Sequence, residues 1–284
     1  MHVLKPDELQ VPAGKAEATK LGRAIVVTSG KGGVGKTTTT ANLGTALAQR
    51  GATVALVDAD VGLRNLDIVL GLESRVKYHL LDVLEGAATL DDALVADKHS
   101  PTLRLLAAAQ AREKEDVETE KMRALVQTLR ERFDYVLIDS PAGIELGFKN
   151  AVAGAQEAIV VCTPEVSAVR DVDRVVGLLG NAFQPQLVIN RLRPQLVKKG
   201  KMLSVDDVNA ILRLPLLGVI ADEPEIIVAT NRGEPLALRK EAPTGAAYRA
   251  IAARLAGDDV PAPMPPVTQT FFDRLGAIFG GKRA

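Results

Sequence analysis

The run Gly30-Lys-Gly-Gly-Val-Gly-Lys-Thr37 constrains this chain more than any other stretch. It fits the phosphate-loop pattern G-x-x-x-x-G-K-[ST] in full. It also sits where that pattern has physical meaning, after the apolar run 24–29 and before a helical run over 37–50 that stops at Gly51. Glycines let backbone N–H groups turn inward around phosphate oxygens without Cβ clashes. Lys36 adds a point charge at the β- and γ-phosphates, the Thr37 hydroxyl suits Mg²⁺, and the helix start adds its partial positive charge. A second lysine, Lys31, lies inside the loop, and an ordinary phosphate loop does not call for it.

The rest of the chain repeats the same alternation. Short apolar runs at 53–58, 103–107, 134–139, 158–163, 186–190 and 216–220 read as strands, with almost no polar alternation, as expected of strands covered on both faces. Helical patterns fall at 117–132, 144–153, 167–180, 204–213 and 244–256, the last with Thr244 as its N-cap and Gly257 past its end. The fold class expected is α/β: a doubly wound, mostly parallel sheet with helices on both faces. Ligands of such sheets sit at the carboxyl ends of the strands. Several strands end there in polar residues: Ser29, Asp58, Asp139, Thr163 and Asn190. Asp139 follows Tyr-Val-Leu-Ile, the Walker B arrangement that holds Mg²⁺ directly or through water. Asp58 and Asp60 close the second strand on opposite sides of the chain, one set to face the metal shell and the other an attacking water.

Composition narrows the function. The 35 basic and 35 acidic side chains give zero formal net charge, which argues against coating nucleic acid through bulk charge. One cysteine, Cys162, builds no disulfide framework and fits a reducing cytosol. No apolar run approaches the roughly 20 residues that span a bilayer, and the polar N-terminus is no secretory signal. The histidines are His2, His79 and His99, with no metal-ligand spacing, and no Ser-His set or Cys pair accompanies them.

Four regions follow. Residues 1–22, with Pro6 and Pro12, read as an extension, and 23–256 as the phosphate-loop domain. Residues 257–267, with four prolines before Val267, read as a stiff linker without a core, and 268–284 as a tail beyond it. Phe271, Phe272, Leu275, Ile278 and Phe279 recur at helical spacing in that tail, one apolar stripe for a membrane-surface helix. Arg274, Lys282 and Arg283 are placed to meet anionic headgroups.

KGGVGKTT with its extra Lys31, VDADVGLRNLD (57–67), DSPAGIE (139–145), PEVSAVRDVDR (164–174) and GEPLAL (233–238) together resemble the ParA/MinD family of ATPases with a deviant Walker A loop, in its septum-site-determining branch. The resemblance covers residues 23–256, and the tail is similar as well. It implies ATP and Mg²⁺ as ligands, with nucleotide contacts on Gly30, Lys31, Gly32, Gly33, Val34, Gly35, Lys36, Thr37 and Thr38. Asn190 resembles a residue that contacts the base. Thr37, Asp58 and Asp139 take the metal shell. Asp60 resembles the residue that positions the hydrolytic water, and 62–67 a switch that responds to the γ-phosphate. Lys31 resembles a lysine that reaches across an ATP-bound homodimer and joins Lys36 and Asp60 in catalysis. The resemblance further implies a MinC-type division inhibitor and a MinE-type activator as partners. It places the protein in the cytoplasm, peripheral on the inner face of the membrane in the ATP state. Nucleic acid is not an expected partner. A ParA-type DNA partitioner and a flagellar-number regulator of the same superfamily are the alternatives. The cluster Arg191, Arg193, Lys198, Lys199 and Lys201 is what the partitioner would use. A metal-cluster carrier of the Mrp type needs a Cys pair, which Cys162 alone does not supply.

Overall fold

The computed structural model describes residues 21–109, 118–144 and 146–265. Eight strands form one sheet: β1 (Arg23–Thr28), β2 (Val54–Asp58), β3 (Val95–Ala96), β4 (Leu103–Leu106), β5 (Tyr135–Asp139), β6 (Glu157–Cys162), β7 (Gln186–Leu192) and β8 (Leu216–Ala221). Their order is β3-β4-β2-β5-β1-β6-β7-β8, and every pairing is parallel except the antiparallel edge β3–β4. The expected doubly wound sheet is therefore present, with one short antiparallel strand that was not expected.

Alternate residues of each central strand serve different cores, which is why these strands are apolar throughout. Ala24 and Val26 of β1 join one cluster with Met122, Val126, Val169 and Val172. These come from α5 (Thr119–Arg130) and α7 (Val166–Leu179). Ile25 and Val27 join the opposite cluster with Leu43, Leu47, Ile251 and Leu255, from α1 (Lys36–Gln49) and α11 (Pro243–Leu255). The remaining helices are α2 (Leu66–Leu70), α3 (Leu80–Leu84), α4 (Leu90–Ala93), α6 (Leu146–Val152), α8 (Pro194–Lys198), α9 (Val205–Leu212) and α10 (Glu225–Asn231). Of these, α2, α3, α4, α8 and α10 were not expected. Most span a turn or so, too short to print a period.

Two expectations at the chain's end are corrected. Thr244 does not cap α11: the cap position is Ala242, Pro243 opens the helix, and the Thr244 hydroxyl donates to Glu223 Oε2 at 2.6 Å. A proline at the first helical position already fits its missing N–H to an orphan site. The Pro-rich segment is also not a free spacer. Val219 N–H donates to Pro263 O at 2.9 Å. Arg254 donates to the carbonyls of Val260 and Leu216, and Arg50 pairs with Asp258 at 2.8 Å. A Cβ on Gly218 would lie 2.7 Å from Pro263 Cγ, so the glycine makes the notch that seats the proline. Residues 258–265 thus form a strap along the outer edge of β8. The tail with its five apolar residues, and most of the extension 1–22, lie outside the described residues.

Candidate nucleotide site

The site lies at the carboxyl ends of β1, β2, β5 and β7. β1 is paired on both sides, to β5 and β6; the connection from β1 runs to β2 on one side and that from β6 to β7 on the other, the switch point where α/β sheets bind ligands. The loop that follows β1 turns on Gly33 and Gly35, whose φ angles of 74° and 97° are left-handed. A Cβ on Gly35 would meet Asn190 Nδ2 at 2.3 Å, so close approach to β7 also demands glycine there. α1 starts directly behind the loop, buried along nearly its whole length. Asn42 ties it down, accepting from Ala237 N at 2.9 Å and donating to Thr38 O at 2.8 Å.

A cleft of about 350 Å³ opens above the loop. Gly32, Gly33, Gly35, Lys36, Thr37 and Thr38 line it together with Asp60, Leu63, Asn65 and Ile68. The sequence-derived residues Lys36, Thr37, Thr38 and Asp60 are therefore brought together. Gly30 packs against α7 instead, with Asp171 where its Cβ would stand, and Val34 is buried.

Asp58 and Asp139 are register partners on β2 and β5 and are 1% exposed each. Burial, and then the charge of Asp139, pushes the Asp58 carboxyl well above the usual carboxylate range. Burial raises Asp139 too, against the pull of the Thr37 hydroxyl and the Lys36 ammonium. Asp58 Oδ1 accepts from Asp60 N at 3.0 Å, and its Oδ2 accepts from Asn65 N and Leu66 N at 3.2 and 3.1 Å. Asp58 is thus also the clamp that holds the loop 60–66. The different directions of Asp58 and Asp60 come from the strand ending at Asp58. In a continued strand, residues two apart share a face, so spacing alone does not separate them.

The donor set fits Mg²⁺. A hydroxyl and two carboxylates are hard oxygen donors, and both carboxylates are disfavoured as anions in the protein alone. Among the described residues no cluster of three His, Cys, Asp or Glu forms a metal cage.

Lys31 does not point to solvent. Its Nζ lies 3.0 Å from Glu165 Oε2 and donates to Ser167 Oγ at 3.2 Å, at the start of α7. Nothing local marked these two partners, which lie 134 and 136 residues away.

A second cleft, of about 410 Å³, adjoins the first and is lined by Asn190, Arg193, Asp222, Pro224, Ile226 and Ile227 among others. Asn190 Nδ2 donates to Val34 O at 2.7 Å, fastening β7 to the loop. Its Oδ1 is buried without a hydrogen-bond partner among the described residues. An orphaned acceptor at a cleft with Pro224, Ile226 and Ile227 in its lining fits a ring that brings its own donor, such as an amino-purine.

Comparison with known proteins agrees with this geometry. Residues 25–236 match the CobQ/CobB/MinD/ParA nucleotide binding domain, which defines the class. A septum site-determining protein MinD from Synechocystis sp. is 55% identical over 244 residues, covering 85% of this chain and 92% of that protein. The MinD of a MinC:MinD complex from Aquifex aeolicus superposes with a TM-score of 0.79 at 46% identity, covering 86% of this chain and 100% of the other. MinD from Pyrococcus horikoshii, solved with Mg-ADP, gives a TM-score of 0.76 at 32% identity, covering 84% and 100%. The chain belongs to the ParA/MinD family of nucleotide-binding ATPases, in its septum site-determining MinD branch.

Proposed function

We propose that the chain hydrolyses ATP with Mg²⁺, dimerises and gains membrane affinity in the ATP state, and places the division septum by recruiting a MinC-type inhibitor. The observation that supports the reading is that Lys36, Thr37 and Asp60 line one cleft above the phosphate loop. Lys36, 7% exposed, holds the β- and γ-phosphates from the loop side. Thr37, Asp58 and Asp139 hold Mg²⁺, which offsets charge on the phosphate oxygens. Asp60 orients water on the opposite side, so catalysis is positioning and electrostatics with no covalent step.

Lys31 leaves Glu165 to meet the nucleotide of a second copy. The pair it abandons is weak: with side chains 35% and 56% exposed, it contributes about 0–1 kcal/mol. A charge-assisted bond to phosphate in a closed site is roughly twice as strong as a neutral one, so the exchange is favourable. Leu63 and Ile227, 62% and 66% exposed at the mouths of the two clefts, are apolar surface that a second copy covers. The names of the relatives favour septum placement over DNA partition. Within the basic cluster, Arg193 is already neutralised by Asp222 at 2.5 Å.

Asp60→Ala tests the mechanism. It is expected to keep ATP binding and ATP-driven dimerisation, measured by light scattering, and to lose phosphate release by at least about 100-fold. Turnover at the parent rate removes Asp60 from the mechanism.

A further inference from the structure

Three residues line both clefts: Gly35, Thr38 and Arg191. A nucleotide laid from the phosphate loop into the second cleft would pass these three between its terminal phosphates and its base. Gly35 and Thr38 belong to the loop and the start of α1. Arg191 comes from the opposite side, at the end of β7.

Its position is built at the expense of regular strand geometry. The pairing of β7 with β8 shifts register between Ile189 and Leu192. Within that bulge Arg191 has φ 60°, a left-handed conformation that L side chains rarely adopt. A bulge beside a site re-aims a side chain, and here it lets consecutive residues face different tasks. Asn190 turns down to Val34 O, while Arg191 stands exposed over the junction of the clefts.

The charge of Arg191 is also uncommitted. Its guanidinium has no side-chain hydrogen bond or ion pair among the described residues, and the group its charge reaches is the buried hydroxyl of Tyr248, a neutral phenol. Of the acids lining the two clefts, Asp222 is engaged by Arg193 and Glu223 by the Thr244 hydroxyl, while Asp60 shares the first cleft with Arg191 without a hydrogen bond or ion pair to it. A guanidinium held by a strained bulge, without a carboxylate and above a phosphate loop, matches an anionic ligand that offers two oxygens.

We infer that Arg191 is a nucleotide-binding residue that grips the α-phosphate from the β7 side, opposite the loop. The inference rests on the nucleotide reading above and deepens it. It assigns Arg191 to the ligand and not to a nucleic-acid surface.

The test is titration of fluorescent ATP and ADP into the full chain with Mg²⁺, on the parent and on Arg191→Ala, Arg191→Lys and Arg191→Gly. Arg191→Ala is expected to weaken both nucleotides by the same factor, about 10-fold, because both carry the α-phosphate. Lysine recovers part of the loss, since it keeps the charge without the fork. Glycine separates contact from fold: it relieves the left-handed backbone, so nucleotide-free melting does not fall, yet binding is as weak as in the alanine variant. Parent-like ADP affinity in Arg191→Ala overturns the proposal. A loss confined to ATP also overturns it, by moving the contact to the γ-phosphate or to a second copy. If the parent itself binds neither nucleotide, the nucleotide reading falls, and this inference falls with it.

Discussion

Asp139 carries its negative charge at a disadvantage, and the disadvantage has a measurable sign. An unfolded aspartate titrates near pH 4, whereas burial pushes Asp139 up to about 7 in the folded protein without bound cation. Across that window the folded state binds more protons than the unfolded one. Stability therefore falls as pH rises from about 4 to about 7 and levels off above. Asp139→Asn removes this share of the slope. Its hydrogen bonds survive the change, because its known partners are the hydroxyls of Thr37 and Thr40, which can rotate to donate or accept. The same substitution at Asp58 would set an amide against three backbone N–H donors. Without nucleotide, Asp139→Asn is expected to melt with the parent at pH 4 and several degrees above it at pH 8. Equal slopes for the two proteins would refute the burial argument. At this scale the position of Asp58 and Asp139 at adjacent strand ends was legible, since each closes an apolar run, while the clamp that Asp58 makes on the loop 60–66 was not. The Lys31–Glu165 contact and the turn of Arg191 were not. The first joins residues far apart in sequence, and the second depends on a register shift that no local pattern encodes.

Elements were legible in proportion to the number of residues that repeat a signal. The seven longer strands were foreseen to within about two residues because each is a run of apolar residues closed on both faces. The two-residue strand Val95–Ala96 and the five-residue helix Leu66–Leu70 carry no such repetition and are set by tertiary contacts. The strap is the instructive failure. Prolines and polar residues read as linker, but carbonyls remain acceptors whatever the side chain, and β8 offers an open edge to cover. Arg254, in the last turn of α11, is the fastener. Arg254→Ala leaves the carbonyls of Val260 and Leu216 without it. The expected loss is about 1–3 kcal/mol, or roughly 2–10 °C in melting temperature for a chain of this size. Hydrogen exchange at the Val219 amide, which bonds to Pro263 O, is expected to accelerate with it. Unchanged protection at Val219 would mean that the strap holds without Arg254.

For the whole molecule, the strap gives the tail a point of departure. Val260 lies beside Leu216 and Pro263 beside Val219, so the strap runs parallel to β8 toward its carboxyl end. Asp222 and Pro224 line the second cleft at that same end. Five residues separate Pro265 from Phe271 in the sequence, so a tail of any conformation starts within about 20 Å of the strap's end. If the tail is the membrane helix proposed from its sequence, one copy of it is a poor anchor. Burying Phe271, Phe272, Leu275, Ile278 and Phe279 in lipid contributes about 8–15 kcal/mol gross, and ordering nine helical residues opposes it with about 9–18 kcal/mol. Headgroups add about 1 kcal/mol for each of Arg274, Lys282 and Arg283. Two tails held by one ATP dimer gain by effective concentration, about 10²–10⁴-fold over one. On the proposed membrane reading, membrane residence would then follow the γ-phosphate without any change in the tail itself. Sedimentation with anionic liposomes is expected to recover the Asp60→Ala protein in ATP and little of it in ADP, with intermediate recovery for the parent in ATP. Deletion of 267–284, or Phe272→Glu, is expected to abolish recovery while ATP still drives dimerisation. Undiminished lipid binding by either variant would show that the tail is not the anchor, and equal recovery in ADP would show that dimerisation is not the switch.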